Sequence, residues 1–142
     1  MDKNKNIKSL RLQNKLEELE KISLFLEEMG DELEIPLAVT MTLNLVIEEA
    51  FTNVVNYAYD DSLVHQIEIT LEKAGGHLII KIIDDGKEFD PTLQDDPDVT
   101  LTAEDRSIGG LGIFFMRKMM DGVNYHRINN LNVLELTKSL EG

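Results

Sequence analysis

The chain has 142 residues, 42% hydrophobic and 29% charged, with no cysteine and a formal net charge of -13. A chain of this size forms one domain that buries roughly 70% of its unfolded surface, and no apolar run reaches the about 20 residues of a membrane span, so a spanning helix and a disulfide framework are excluded. The excess of 27 acids over 14 bases argues against nucleic acid and anionic membranes as partners.

A polyphosphate remains admissible where a divalent cation and backbone N–H groups cancel its charge. Met1 to Asn6 lead into no apolar signal region, so the expected home is the cytoplasm. Residues Lys8 to Gln13 alternate, Leu10 and Leu12 against Ser9, Arg11 and Gln13, which predicts a short strand. From Asn14 as N-cap, apolar residues at Leu16, Leu19, Ile22, Leu26 and Met29 mark an amphipathic helix that Gly30 is expected to stop. A second helix is predicted from about Pro36 to about Ala58, proline being suited to a first turn.

Ile67, Ile69 and Leu71 alternate with polar neighbours, Ala74-Gly75-Gly76 makes a turn, and Leu78 to Ile83 is a more continuous apolar run. This pattern predicts an antiparallel hairpin whose second strand lies deeper. Pro91 to Ile108 holds two prolines and five acids and reads as a mobile loop. Leu111 to Met120 predicts a third helix. Val123 to Ile128 and Asn132 to Lys138 then pair across Asn129-Asn130, where asparagine tolerates the positive φ of a tight hairpin. The order predicts an α+β fold in a single domain: a two-layer sandwich with one mixed, mostly antiparallel sheet and helices on one face.

Three fragments carry chemistry. On the second helix, Val39, Leu43, Val46, Ile47, Ala50, Val54, Tyr57 and Ala58 share a buried arc, with Glu49, Asn53 and Asn56 along its edge and Glu48 pointing away from the core. Glu49 and Asn53 stand one turn apart. They fit a solvated helix edge, or a site where Asn53 offers an amide oxygen to Mg2+ and Glu49 accepts a proton from a hydroxyl or water. Asp84 ends a buried strand, where a charge needs a donor; Asp84-Asp85-Gly86 is either an exit turn or a base-binding acid whose neighbouring Gly86 lets the base approach the backbone.

Gly109, Gly110 and Gly112 open the third helix, as a flexible lead-in or as a phosphate cradle of free N–H groups. Neither a Walker P-loop nor a full dinucleotide fingerprint is present. Arg106 is a surface residue of an acidic loop or a clamp on a terminal phosphate. Asp95-Asp96-Pro97-Asp98 lacks the ligand order of a calcium loop. His65, His77 and His126 form no metal spacing or dyad. Ile113, Phe114, Phe115, Met116, Met119 and Met120 read as core packing.

In this order, Glu49-Ala-Phe-Thr-Asn53, Asp84-Asp-Gly86-Lys-Glu-Phe-Asp90-Pro and Ile108-Gly-Gly-Leu-Gly112-Ile-Phe-Phe-Met-Arg-Lys-Met-Met-Asp121 resemble the anti-sigma-factor serine kinases. These belong to an ATPase superfamily shared with histidine kinases, gyrase, a heat-shock chaperone and a mismatch-repair protein. The similarity runs from the strand at Leu10 to the strand ending at Lys138.

The resemblance implies a Bergerat-type ATP fold with Glu49 as catalytic base, Asn53 as Mg2+ ligand, Asp84 as the adenine-binding acid and Gly86 as its companion. It further implies that Gly110 and Gly112 bind phosphate below a lid spanning about 91–108, that Arg106 reaches the terminal phosphate, and that Thr137 sits behind the adenine. Family members bind a sigma factor in one state and phosphorylate a serine of a small antagonist protein in another, commonly as homodimers. Two departures stand out: Glu88 replaces the second glycine of the fuller box, and Arg106 is spaced differently from the glycines than in sporulation-type kinases. Three functions compete: a serine kinase switch, an ATP-binding module that sequesters a partner without phosphorylating it, and a detached histidine-kinase catalytic domain, which would need an acceptor helix pair that this chain lacks.

Overall fold

The computed structural model describes residues 7–93 and 110–140. Five strands form one sheet: β1 (Ile7–Gln13), β2 (Gln66–Ala74), β3 (His77–Asp84), β4 (Gly122–Ile128) and β5 (Leu131–Ser139). Their spatial order is β1-β2-β3-β5-β4 and every pairing is antiparallel, so the expected admixture of parallel pairing is not found among the described residues. Three helices pack with it, α1 (Leu19–Glu32), α2 (Leu37–Tyr57) and α3 (Gly110–Met119). The result is the anticipated α+β arrangement.

Strand alternation sets the layers. Ile67, Ile69 and Leu71 of β2, Leu78, Ile80 and Ile82 of β3, and Leu134 and Leu136 of β5 are all buried, while their odd-step neighbours are partly exposed. Against that face α2 lays Leu43, Val46, Ile47, Ala50, Phe51 and Val54. Each large side chain buried there contributes about 1.5–3 kcal/mol relative to an exposed one. Phe51, outside the predicted buried arc, is fully enclosed.

Both hairpin turns follow their residues. Gly75 takes φ 62° between Ala74 and His77, and Asn129 and Asn130 take φ 51° and 65° between Ile128 and Leu131. Two successive left-handed residues give the turn whose twist matches the flanking strands.

The start and stop of α1 differ from expectation. Asn14 does not cap it: a 3-10 turn at Leu16–Glu18 intervenes, and the Asn14 side chain accepts from His65 N–H at 2.9 Å, fastening the end of β1 to the start of β2. Gly30 does not stop it. The helix runs on to Glu32, and the left-handed residue after it is Glu34 at φ 56°. Gly30 lies inside the helix, where an added Cβ would stand 3.0 Å from Thr40 Oγ1, so it serves the close approach of α1 to α2. Glu48 likewise does not face away; half-buried, it accepts a hydrogen bond from Ser23 Oγ on α1 at 3.3 Å.

Candidate functional site

A narrow cavity lies where the C-terminal half of α2 crosses the ends of β3, β4 and β5. Its walls are mostly apolar, with Ala50, Val54, Ile82, Phe89 and Met116 among them. Into them are set Asn53 from α2, Asp84 from β3, Tyr125 from β4 and Asn132 from β5. An apolar cleft with a few convergent polar groups is the usual form of a small-molecule site.

Asn53 is not on a solvated edge as the helical projection suggested. It is 3% exposed, and its Nδ2 is the one buried side-chain nitrogen or oxygen without a hydrogen-bond partner among the described residues. Leaving such a group unpaired costs about 1–3 kcal/mol. The residue that carries this cost lines the cavity. Glu49 stands one turn earlier on α2, half-buried, and does not line this cavity.

Asp84, also 3% exposed, is stabilised by donors from within the protein: Gly86 N–H and Asn132 Nδ2, each 2.9 Å from its Oδ1. Burial raises the pKa of its carboxyl, and the two hydrogen bonds oppose that rise, as does the more distant positive charge of Arg127. Sequence reasoning missed Asn132. Its signal is parity: Leu134 and Leu136 face the helices, so Asn132, two residues earlier, must face them too, and it is a polar residue at an inward position.

The same parity corrects Thr137. It pairs with Ile79 and Gly122 on the opposite face of the sheet from Asn132 and Leu134, away from the cavity. Gly86 keeps its place beside Asp84, and packing alone already requires a glycine there. An added Cβ would meet Ala58 O at 2.4 Å and Ala58 Cβ at 2.6 Å, and Lys87 N–H donates to that carbonyl at 2.8 Å. The glycine lets the loop after β3 sit on the end of α2.

Gly110 and Gly112 fall in the first turn of α3, as its first and third residues. Arg106 lies outside the described residues, as does the expected lid beyond the 3-10 turn Pro91–Leu93. That turn is tied down at its base by Asp90, which caps Thr92 N–H at 2.9 Å, and by Arg117 of α3, which donates to Thr92 O.

Beside the cavity His65 stacks on Tyr59 with ring centroids 4.3 Å apart and contacts Asp61 at 2.9 Å and Asp85 at 3.3 Å. The hydrogen bond to Asp61 is the chief reason its pKa is raised. Tyr59 donates to Asp85 at 3.1 Å, and burial first, then the charges of Asp84 and Asp85, drive its pKa far up.

The family model for the histidine kinase-like ATPase domain matches residues 12–138. The chain belongs to that family. A serine/threonine-protein kinase, BtrW of Bordetella bronchiseptica, is 32% identical over 96 residues, which is 68% of each chain. The serine-protein kinase RsbW of Oceanobacillus iheyensis is 33% identical over 62% of this chain and 56% of its own length. Among solved structures, the RsbU and RsbW domains of a Mycobacterium tuberculosis protein superpose with a TM-score of 0.66 at 14% identity, over 94% of this chain and 32% of that one, a likeness of fold. This family member is therefore an ATP-binding domain of the RsbW and BtrW serine-kinase type, the anti-sigma class that the three sequence fragments resemble.

Proposed function

We propose that the chain transfers the γ-phosphoryl group of Mg-ATP to a serine of a small antagonist protein, and exchanges that protein for a sigma factor according to its phosphorylation state. The observation that carries this reading is the pairing, in one apolar cavity, of an internally braced buried acid, Asp84, with a buried amide, Asn53, whose nitrogen has no partner. An acid that only accepts hydrogen bonds suits the exocyclic amine of adenine. An unsatisfied amide about one turn from the end of α2 suits the polyphosphate end, directly or, with the amide turned, through a cation.

Mg2+ fits the residues in a limited way. Among the described residues no cluster of three or more acids or histidines could cage a metal, so Asn53 would hold the ion together with phosphate oxygens and water, as this cation commonly requires. Bound there, it would supply charge neutralisation in a chain of net charge -13. Glu49 takes the proton of the serine hydroxyl as that oxygen bonds to the γ-phosphorus and ADP leaves, while Gly110 and Gly112 offer N–H groups and Arg106 a guanidinium to the phosphates.

The groove between α1 and α2 favours a protein partner. Leu37 and Met41 are 74% and 65% exposed along it, and Glu27 and Asp31 line its rim, which fits an apolar segment of the partner flanked by Lys or Arg. A homodimer and a cytoplasmic setting complete the proposal; among the described residues no helix is long and apolar enough to cross a membrane.

One observation favours a second reading, an ATP-holding module that sequesters a partner without turnover: Glu49 does not line the cavity. Incubation with γ-labelled ATP and candidate antagonist proteins separates the two. Transfer that disappears in Glu49→Ala while ATP affinity persists supports the kinase. Transfer unchanged in that variant removes Glu49 from its role, and no transfer to any antagonist from a chain that binds ATP and retains the partner supports the module.

A further inference from the structure

The strand register aligns Asp84 with Asn132 and Asn132 with Arg127, so the ends of β3, β5 and β4 present an acid, an amide and a guanidinium in one row. Asn132, at the centre, is 4% exposed. Its Nδ2 donates to Asp84 Oδ1 at 2.9 Å and to Lys87 O at 2.8 Å. Its Oδ1 accepts from Tyr125 Oη, from Arg127 Nη1 at 3.1 Å and from Phe89 N–H at 3.3 Å.

A primary amide has two N–H donors and two lone pairs. Both donors are used and the oxygen is more than filled, so Asn132 has nothing left to offer a ligand. Its orientation is also fixed. Turning the amide over would set oxygen against the Asp84 carboxylate and the Lys87 carbonyl, and nitrogen against Arg127 and the Phe89 N–H, replacing attractions with repulsions on both sides.

We infer that Asn132 is a positioning residue for nucleobase selection: it fixes one oxygen of Asp84 and the loop from Gly86 to Phe89, so that Asp84 meets a base in a single orientation as an acceptor. Arg127 completes the brace, donating to Gly86 O at 2.8 Å as well as to Asn132. An acceptor held in one place favours an amino edge such as that of adenine and disfavours the oxo edge of guanine, whose oxygen would face a carboxylate. The inference rests on Asp84 being the base-binding acid.

The test uses the full chain and calorimetric titration with ATP and with GTP, in Mg2+, between pH 5.5 and 8.5. Asn132→Ala frees the carboxylate to rotate and is expected to lower the ATP-over-GTP preference about tenfold, the equivalent of one charge-assisted hydrogen bond. Asn132→Asp sets two acids face to face where one proton must be shared, so ATP affinity becomes pH-dependent and falls as pH rises, against a flatter profile in the unmutated chain. A merely structural role would not produce that profile.

Asp84→Asn separates the two levels of the argument. If it keeps the unmutated preference for ATP, the base-binding reading fails and the inference with it. If it abolishes the preference while both Asn132 variants keep the unmutated ratio and profile, that reading stands and the inference is overturned. Should the variants not fold, the side-chain NH2 resonances of Asn132 in the unmutated chain decide: slow solvent exchange both free and ADP-bound supports positioning, and a new contact or lost protection on binding overturns it.

Discussion

Gly86→Ala tests how the site is built. The glycine sits in the loop that follows Asp84, and two accounts of it make opposite predictions. If glycine is there to let a ligand pass close to the backbone, alanine harms binding and leaves the free protein as stable as before. The geometry says otherwise: the new Cβ would stand 2.4 Å from the carbonyl oxygen and 2.6 Å from the Cβ of Ala58, well inside the 3.0 Å below which real Cβ contacts essentially never occur. The nearer obstacle is backbone and cannot swing away.

The loop must therefore lift off the end of α2. Overpacking of this kind costs about 1–3 kcal/mol, and the bond from Lys87 N–H to Ala58 O, 2.8 Å long, adds about 1 kcal/mol if it breaks. For a domain of this size each kcal/mol lowers Tm by about 3 °C, so a fall of about 3–12 °C is expected in the ligand-free protein, the upper part of that range if the bond is lost. Thermal unfolding by circular dichroism without nucleotide reads it directly. Ala58→Gly in the same chain removes the Cβ obstacle and leaves the carbonyl, so it should restore only part of the loss. A ligand-free Tm within about 2 °C of the unmutated chain would refute the packing account, and full recovery in the double variant would shift the blame from the carbonyl to the methyl group.

Asn53→Leu removes a buried amide whose nitrogen is unpaired, so the ligand-free protein should hold its stability or gain about 1 kcal/mol in urea unfolding while ATP affinity collapses; loss of stability with binding retained would contradict the role given to that amide. Asp84→Asn should stabilise the ligand-free chain at neutral pH. Burial raises the acid's folded pKa, so the folded state holds the proton more tightly, and stability is lost as pH rises from the unfolded carboxylate value through the folded one. The advantage of the asparagine variant should vanish at low pH, where Asp84 is protonated in the folded and the unfolded state alike; an advantage independent of pH would refute this. His65 has a linkage of the same sign: its folded pKa is also raised, here chiefly by the hydrogen bond to Asp61, so its favourable contribution is complete below the unfolded histidine value and disappears as pH climbs through the folded one. His65→Gln should flatten stability against pH across that window and leave it unchanged at higher pH.

The sequence disclosed those parts of the fold whose causes are local. Asn129-Asn130 specifies its turn, and the alternation of β2 and β3 specifies a half-buried hairpin, because the determining residues are neighbours in the chain. Asn14 and Gly30 misled for the complementary reason. Each carries a good local signal for a helix end, and each is used in a contact with a distant residue, His65 and Thr40 respectively. The packing requirement at Gly86 has no local signal, since Ala58, which an added Cβ would meet, lies 28 positions away. Asn132 was legible in principle through strand parity, and that parity also counted against Thr137. Asn132 belongs to no motif, being a lone amide in an apolar strand.

The hydrogen bonding of the cavity divides it into two unlike halves. On the sheet side Asp84, Asn132, Tyr125, Arg127 and the carbonyls of Gly86 and Lys87 satisfy one another without any ligand, so that wall is complete before binding and its electrostatics need no rearrangement. On the helix side Asn53 is left with an unpaired nitrogen, and the first turn of α3 opens with two glycines. On the proposed reading, base selection falls to the strand ends, where a wrong base would meet a fixed acceptor, while the groups that would follow the changing charge of a phosphoryl chain come from helix and loop. A binding site that distinguishes ATP from ADP while holding the same base needs this asymmetry, because the base is common to both nucleotides and only the phosphate end reports which one is present.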